Sequence, residues 1–197
     1  MSDKRNIKER LRGLLAPLVI ALERAGVSPM AVTITGLLLS FVGAGFVAAG
    51  RLRSGAVVLV VAGLCDTIDG SLARSSGQAS RFGAFLDSAL DRVAELAYFA
   101  ALVYHFYAIG ARWSGVMIWL TLAALSGSLL TSYARARAEG LGLECSVGIL
   151  ERPERIALLF IGLLFGHLVL NPVIALLAVL SIVTFIQRVM HVRSVTL

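Results

Sequence analysis

Cysteine and histidine are scarce in this chain, and their scarcity narrows its chemistry. Its 197 residues include 2 Cys and 3 His. Cys65 and Cys145 have no neighbours at metal-ligand spacing, which excludes a zinc module and a disulfide framework and leaves two small apolar fillers. His105, His167 and His191 each lack a carboxylate or cysteine partner at ligand spacing, so no role is expected for them. No internal repeat is visible, whereas transporters built on broken helices commonly show one. The basic residues are not interleaved with exposed aromatics, so nucleic acid is not expected as a partner. A cleavable leader is not expected either, since the first residues are too charged to form its apolar core and no convincing small-residue cleavage site follows.

Apolar residues are what the chain has in abundance. With 58% hydrophobic residues and a mean hydropathy of +0.86, it departs from ordinary soluble domains. Apolar segments at 29–50, 54–74, 82–109, 113–138, 155–170 and 172–190 approach the roughly 20 residues that cross a hydrocarbon core. The expected fold is an all-α polytopic membrane protein with six transmembrane helices. Pro29, Pro153 and Pro172 are expected near helix starts, where a missing N–H does no harm. Residues 1–27 are expected to form an N-terminal amphipathic interfacial helix, with Lys4, Arg5, Lys8, Arg10 and Arg12 alternating with Ile7, Leu11, Leu14 and Leu15. Residues 28–197 then form the six-helix domain. Basic residues cluster in the N-terminal segment, in the turn at Arg74 and Arg81, at Arg135, Arg137, Arg152 and Arg155, and at Arg193. By the positive-inside rule both termini and these turns face the cytoplasm of a cell membrane. The net charge of +6 suits anionic lipid headgroups or an anionic substrate.

Four carboxylates interrupt this apolar background: Asp66-x2-Asp69-Gly70-x2-Ala73-Arg74-x8-Gly83-x3-Asp87-x3-Asp91. A carboxylate inside a membrane helix costs several kcal/mol and persists where it faces a polar cavity and binds something positive. On a helix Asp66 shares a face with Asp69, and Asp87 with Asp91. Two such faces turned towards each other form an oxygen cage for a hard divalent cation, which magnesium usually completes with substrate phosphate. Gly70 and Ala73 project no further than a methyl beside the aspartates, and Arg74 offers a donor fork to diphosphate oxygens. A cation pathway and a structural cluster paired with Arg74, Arg81 and Arg92 are the alternatives, and neither explains the fixed Gly, Ala and Arg positions.

These residues resemble the signature of the CDP-alcohol phosphatidyltransferase family, D-x2-D-G-x2-A-R-x8-G-x3-D-x3-D, with every fixed position filled. The resemblance implies an integral membrane enzyme that moves a phosphatidyl-type group from a CDP-linked lipid to an acceptor hydroxyl and releases CMP. It implies two Mg2+ ions, with Mn2+ as a substitute, bridged by Asp66 and Asp87. Asp69 would complete one site, and Asp91 would stand beside the other as the catalytic base. It further implies that Met30, Ala31, Val32, Thr33, Asp69, Gly70, Ala73, Arg74 and Ser80 hold the CDP-lipid, and that the enzyme is a homodimer. Gly43, Ala44 and Gly45 would permit close helix approach.

A second basic constellation consists of Ser132-Tyr133-Ala134-Arg135, then Glu151-Arg152-Pro153-Glu154-Arg155, and Gln187-Arg188. It resembles the branch of the family that contains the phosphatidylinositol phosphate and archaetidylinositol phosphate synthases, whose acceptor is inositol phosphate. A phosphate monoester carries up to two charges near neutral pH and calls for converging cations. Ser132, Arg135, Arg155 and Arg188 are the residues expected to hold it. Actinobacterial members commonly have Lys where this chain has Arg135. Glycerol 3-phosphate is the alternative acceptor, and a divalent-cation transporter is the alternative from another class.

Overall fold

The computed structural model describes residues 2–196, with side chains from Gly13 onward. The described residues form seven helices and no strand: α1 (Ser2–Arg24), α2 (Pro29–Ala48), α3 (Leu52–Ser75), α4 (Arg81–Ile109), α5 (Ser114–Glu139), α6 (Arg152–Phe165) and α7 (His167–Thr196). Their starts follow local chemistry. Ser28 precedes α2 and accepts the Ala31 N–H on its Oγ at 3.2 Å, with Pro29 next, where its lack of an N–H is harmless. Ser80 caps α4 in the same way, accepting the Gly83 N–H at 3.0 Å.

The all-helical, membrane-type architecture agrees with expectation, but the number of spans does not. Among the described residues four helices, α2, α3, α5 and α7, are long and apolar enough to cross a membrane, rather than six. With 14 residues α6 rises only about 21 Å, short of a hydrocarbon core of about 30 Å. Helix α4 has 29 residues, but Asp87, Asp91, Arg92, Glu95 and His105 along it lower its hydropathy. The boundary between the last two helices also moves. Gly166 takes φ 74°, ends α6 and lets α7 begin at His167, so Pro172 lies inside α7 rather than at its start. Helix α1 forms where the interfacial helix was expected. The alternating side chains from Lys4 to Arg12 lie outside the described side chains, whereas Leu14 and Leu18 beyond them are exposed.

The chain divides into two compact units, residues 1–42 with 58–94, and residues 43–57 with 95–197. In the first, Val19 of α1, Val32 of α2, and Ile68 and Leu72 of α3 form a buried cluster, with Leu15, Leu22, Val27 and Cys65 packed on it. A Cβ on Gly36 would lie 3.0 Å from the Cβ of Cys65, so α2 and α3 approach closely there and Cys65 fills space as expected. In the second unit α7 packs against α5 and α6. A Cβ on Gly127 would lie 2.9 Å from the Cβ of Ser181, and Thr131 Oγ1 donates to the Ser181 carbonyl at 3.0 Å. Of the small residues read as permitting close helix approach, Gly43 and Ala44 are buried within the chain, where the Gly43 carbonyl would lie 3.1 Å from a Cβ on Gly55, and Gly45 is exposed.

The histidines are less isolated than their spacing implied. His105 Nε2 lies 3.3 Å from His167 Nε2 with the rings nearly parallel, and His191 Nε2 donates to the Glu144 carbonyl at 3.1 Å. These partners lie 62 and 47 residues away, beyond the reach of any local motif.

Candidate metal and nucleotide site

Three of the four motif aspartates converge. Asp66 of α3 and Asp87 and Asp91 of α4 each present a carboxylate oxygen, and these oxygens lie within 4.8 Å of one another. Asp87 and Asp91 are one turn apart on α4, so their side chains leave the helix in nearly the same direction. Three half-buried carboxylates at this separation repel one another unless a cation lies among them, and an all-oxygen donor set suits a hard divalent ion. The donor chemistry therefore fits the expected metal.

Asp69 stands outside this group, contrary to the four-carboxylate cage drawn from spacing. It is 5% exposed and its Oδ2 accepts the Thr33 hydroxyl at 2.6 Å. Three residues on a helix leave a 60° offset, and the hydroxyl from α2 takes the carboxylate. Thr33 also donates to the Pro29 carbonyl at 3.1 Å, so the first turn of α2 and the motif of α3 are tied together.

Beside the aspartates lies a cavity of ≈ 350 Å³ lined by the start of α2, the motif face of α3 and the first turns of α4. Its wall includes Met30, Thr33, Asp69, Gly70, Ala73, Arg74 and Ser80, all expected there, and Asp87, which also belongs to the carboxylate group. A Cβ on Gly70 would lie 3.4 Å from Arg74 Nη1, so the guanidinium lies across the glycine, and Arg74 Nη2 donates to Ser71 Oγ at 3.4 Å. The capped starts of α2 and α4 both reach the cavity. Helix N-termini bring unpaired N–H groups and positive dipole ends, which favour phosphate.

Two expected nucleotide residues do not line the cavity. Val32 is 9% exposed and belongs to the core cluster with Ile68 and Leu72, and Ala31 is exposed away from the wall. At 100° per residue Met30 and Thr33 share a face that the two residues between them cannot.

The residues expected to hold the acceptor phosphate lie in the second unit. Arg155 and Arg188 are 3% and 4% exposed. Arg155 Nε donates to Glu95 Oε1 at 3.2 Å and Nη1 to the Leu150 carbonyl at 3.4 Å. Arg188 Nε donates to the Val147 carbonyl at 2.9 Å and Nη1 to the Thr131 carbonyl at 2.7 Å. Arg135 is more exposed and pairs with Glu139 at 2.8 Å. Arg135 and Arg155 both lie close enough to act electrostatically on Arg188. Ser132 is half-buried one turn before Ala136 on α5. Sequence reasoning grouped these arginines by residue type and missed the groups that engage them.

The family profile described as CDP-alcohol phosphatidyltransferase matches residues 26–190. The chain belongs to the CDP-alcohol phosphatidyltransferase family. It is 40% identical over 166 residues to archaetidylinositol phosphate synthase of Methanothermobacter thermautotrophicus, covering 82% of this chain and 80% of that one. Its fold is similar to that of Mycobacterium tuberculosis phosphatidylinositol phosphate synthase crystallised with CDP-DAG bound, with a TM-score of 0.82, 35% identity and coverage of 89% of this chain and 92% of that one. The same enzyme crystallised with manganese and citrate gives a TM-score of 0.82 at 36% identity, covering 89% of this chain and 87% of that one. As a CDP-alcohol phosphatidyltransferase the chain is an enzyme, and the transporter alternative falls away.

Within a CDP-alcohol phosphatidyltransferase the glycine at position 83 acquires a local reason. A Cβ there would lie 3.0 Å from the Ser80 hydroxyl that caps α4. Ser28, Gln78 and Ala79 line the cavity without having been expected to. The Ser28-Pro29 pair was a legible signal, since a capping hydroxyl before a proline marks a helix N-terminus.

Proposed function

We propose that this enzyme transfers a phosphatidyl-type group from a CDP-linked lipid to a hydroxyl of inositol phosphate and releases CMP. The observation that carries the donor half is the shared wall. Asp87 belongs both to the carboxylate group and to the cavity lined by Gly70, Ala73 and Arg74, so a diphosphate in that cavity reaches the cation site. The acceptor half is supported by Arg135, Arg155 and Arg188 in one neighbourhood and by similarity to proteins named archaetidylinositol phosphate synthase and phosphatidylinositol phosphate synthase.

Asp66, Asp87 and Asp91 would hold divalent metal, which we read as two Mg2+ ions with Mn2+ able to replace them. When bound, the metal neutralises diphosphate charge and stabilises the leaving CMP. Arg74 holds diphosphate oxygens with its guanidinium fork, while Gly70 and Ala73 keep the helix surface low beneath the nucleotide. Thr33 holds Asp69 in the cavity wall, and Met30 and Ser80 border the nucleotide. Asp91 takes the acceptor's hydroxyl proton on a carboxylate oxygen, and the acceptor oxygen attacks the lipid-bearing phosphorus. Ser132, Arg135, Arg155 and Arg188 hold the acceptor phosphate. The enzyme works as a homodimer in the cell membrane, among membrane lipids, with both termini and the site facing the cytoplasm.

An acceptor panel tests this reading. Purified protein with CDP-diacylglycerol and Mg2+ should release CMP rapidly with inositol phosphate and slowly with free inositol or serine. Glycerol 3-phosphate reacting far better than inositol phosphate would reassign the acceptor.

A further inference from the structure

The strongest unassigned feature is a buried carboxylate. Glu95 of α4 has a side chain 9% exposed, and its Oε1 accepts two hydrogen bonds, from Ser128 Oγ at 2.6 Å and from Arg155 Nε at 3.2 Å. Ser128 is fully buried on α5, and Arg155 stands in the first turns of α6. Three helices therefore meet at one oxygen. A buried ion pair gives little net stability, because desolvation offsets most of the attraction. Stability alone therefore does not account for it.

Geometry supplies one. A guanidinium offers five donors on a rigid plane and grips phosphate two at a time along one edge. Glu95 occupies the Nε position of Arg155, and the Leu150 carbonyl accepts from Nη1 at 3.4 Å. The plane is thus fixed and the edge between the terminal nitrogens is the one offered to a ligand. We propose that Glu95 is a positioning residue that sets which edge of Arg155 meets the acceptor phosphate, with Ser128 orienting its carboxylate. The inference rests on the acceptor reading above and adds a residue that the motif does not contain.

The test is steady-state kinetics of purified variants with inositol phosphate and CDP-diacylglycerol varied separately. Glu95→Ala should raise the KM for inositol phosphate about tenfold or more while moving that for CDP-diacylglycerol less than about twofold. Glu95→Gln should restore most of the loss, staying within about threefold of the parent, because its amide oxygen still accepts both bonds. In an Arg155→Ala background, Glu95→Ala should add no further rise, since the residue acts through Arg155. Ser128→Ala, the milder variant should Glu95→Ala not accumulate, should raise the acceptor KM about threefold. An unchanged acceptor KM in Glu95→Ala, equal rises for both substrates, or an undiminished effect without Arg155 would overturn the proposal. If Arg155→Ala raises the acceptor KM and Glu95→Ala and Ser128→Ala do not, this inference fails alone. If Arg155→Ala leaves the acceptor KM unchanged, the acceptor reading itself fails with it.

Discussion

The two charged regions of this enzyme are built on opposite plans. In one, Asp66, Asp87 and Asp91 bring carboxylate oxygens within 4.8 Å of one another, a donor set that suits a hard divalent cation. In the other, Arg155 and Arg188 are more deeply buried and engaged from within, by Glu95 and by the Leu150, Val147 and Thr131 carbonyls. Like charges gathered in this way favour a ligand of opposite charge. A cluster already compensated is held rigid, and its ligand must share donors with the fold.

Substitutions should therefore act differently in the two regions. The largest effect belongs to Asp66→Asn and Asp87→Asn, which should lower metal-dependent CMP release by about three orders of magnitude, as expected when several kcal/mol of charge stabilisation are lost. Near-normal turnover in both would remove the cation reading. Asp91→Asn should cost about 10²–10⁴-fold in kcat with CDP-lipid binding retained, the range for a lost general base. A variant that loses donor binding but keeps its turnover at saturation would give Asp91 a different role.

Smaller effects sharpen the contrast. Thr33→Val removes a hydrogen bond to a buried carboxylate, worth about 1.5–3 kcal/mol, and should raise the KM for CDP-lipid at least about tenfold without altering that for the acceptor. In the arginine region the cost should appear as stability. Gly148 takes φ 137° and its Cβ would lie 2.4 Å from Thr184 Cγ2, where α7 grips the α5–α6 loop. The Leu150 N–H reaches Thr184 Oγ1 at 3.1 Å and the Ile149 N–H reaches Gln187 Oε1 at 3.1 Å beside it. Gly148→Ala should therefore destabilise the detergent-solubilised protein by about 1–3 kcal/mol or more in thermal unfolding, through strain and overpacking together. Unaltered unfolding would show that the loop is not clamped. The smallest stability change is expected for Arg135→Ala, whose exposed pair with Glu139 is worth about 0.3–0.5 kcal/mol, so any large effect must come through the acceptor KM.

How far each region could be read from the chain follows from how it is built. The aspartates lie on two consecutive helices at helical spacing, so periodicity alone put Asp87 and Asp91 on one face, whereas Met30 to Thr33 came from the family resemblance, which did not separate the two that line the cavity from the two that do not. Asp69 escaped because Thr33, 36 residues earlier, takes its carboxylate. The arginines were legible as residue types but not as a network. Glu95 lies 60 residues before Arg155 and 33 before Ser128, and a lone glutamate in an apolar helix has no spacing to announce its partners. Among the spans, α2, α3, α5 and α7 were plain from hydropathy. The break at Gly166 was hidden within apolar sequence, and the charged stretch of α4 that serves the site is what weakens its hydropathy.

Asp69, bonded to Thr33, is not equivalent to Asp66, Asp87 and Asp91. Mn2+ binding to purified protein, followed by electron paramagnetic resonance, tests it directly. Wild type should bind Mn2+, Asp66→Asn and Asp87→Asn should lose that binding, and Asp69→Asn should retain at least one bound ion while binding CDP-lipid more weakly. Loss of all bound Mn2+ in Asp69→Asn, or full retention in Asp66→Asn and Asp87→Asn, would contradict the account.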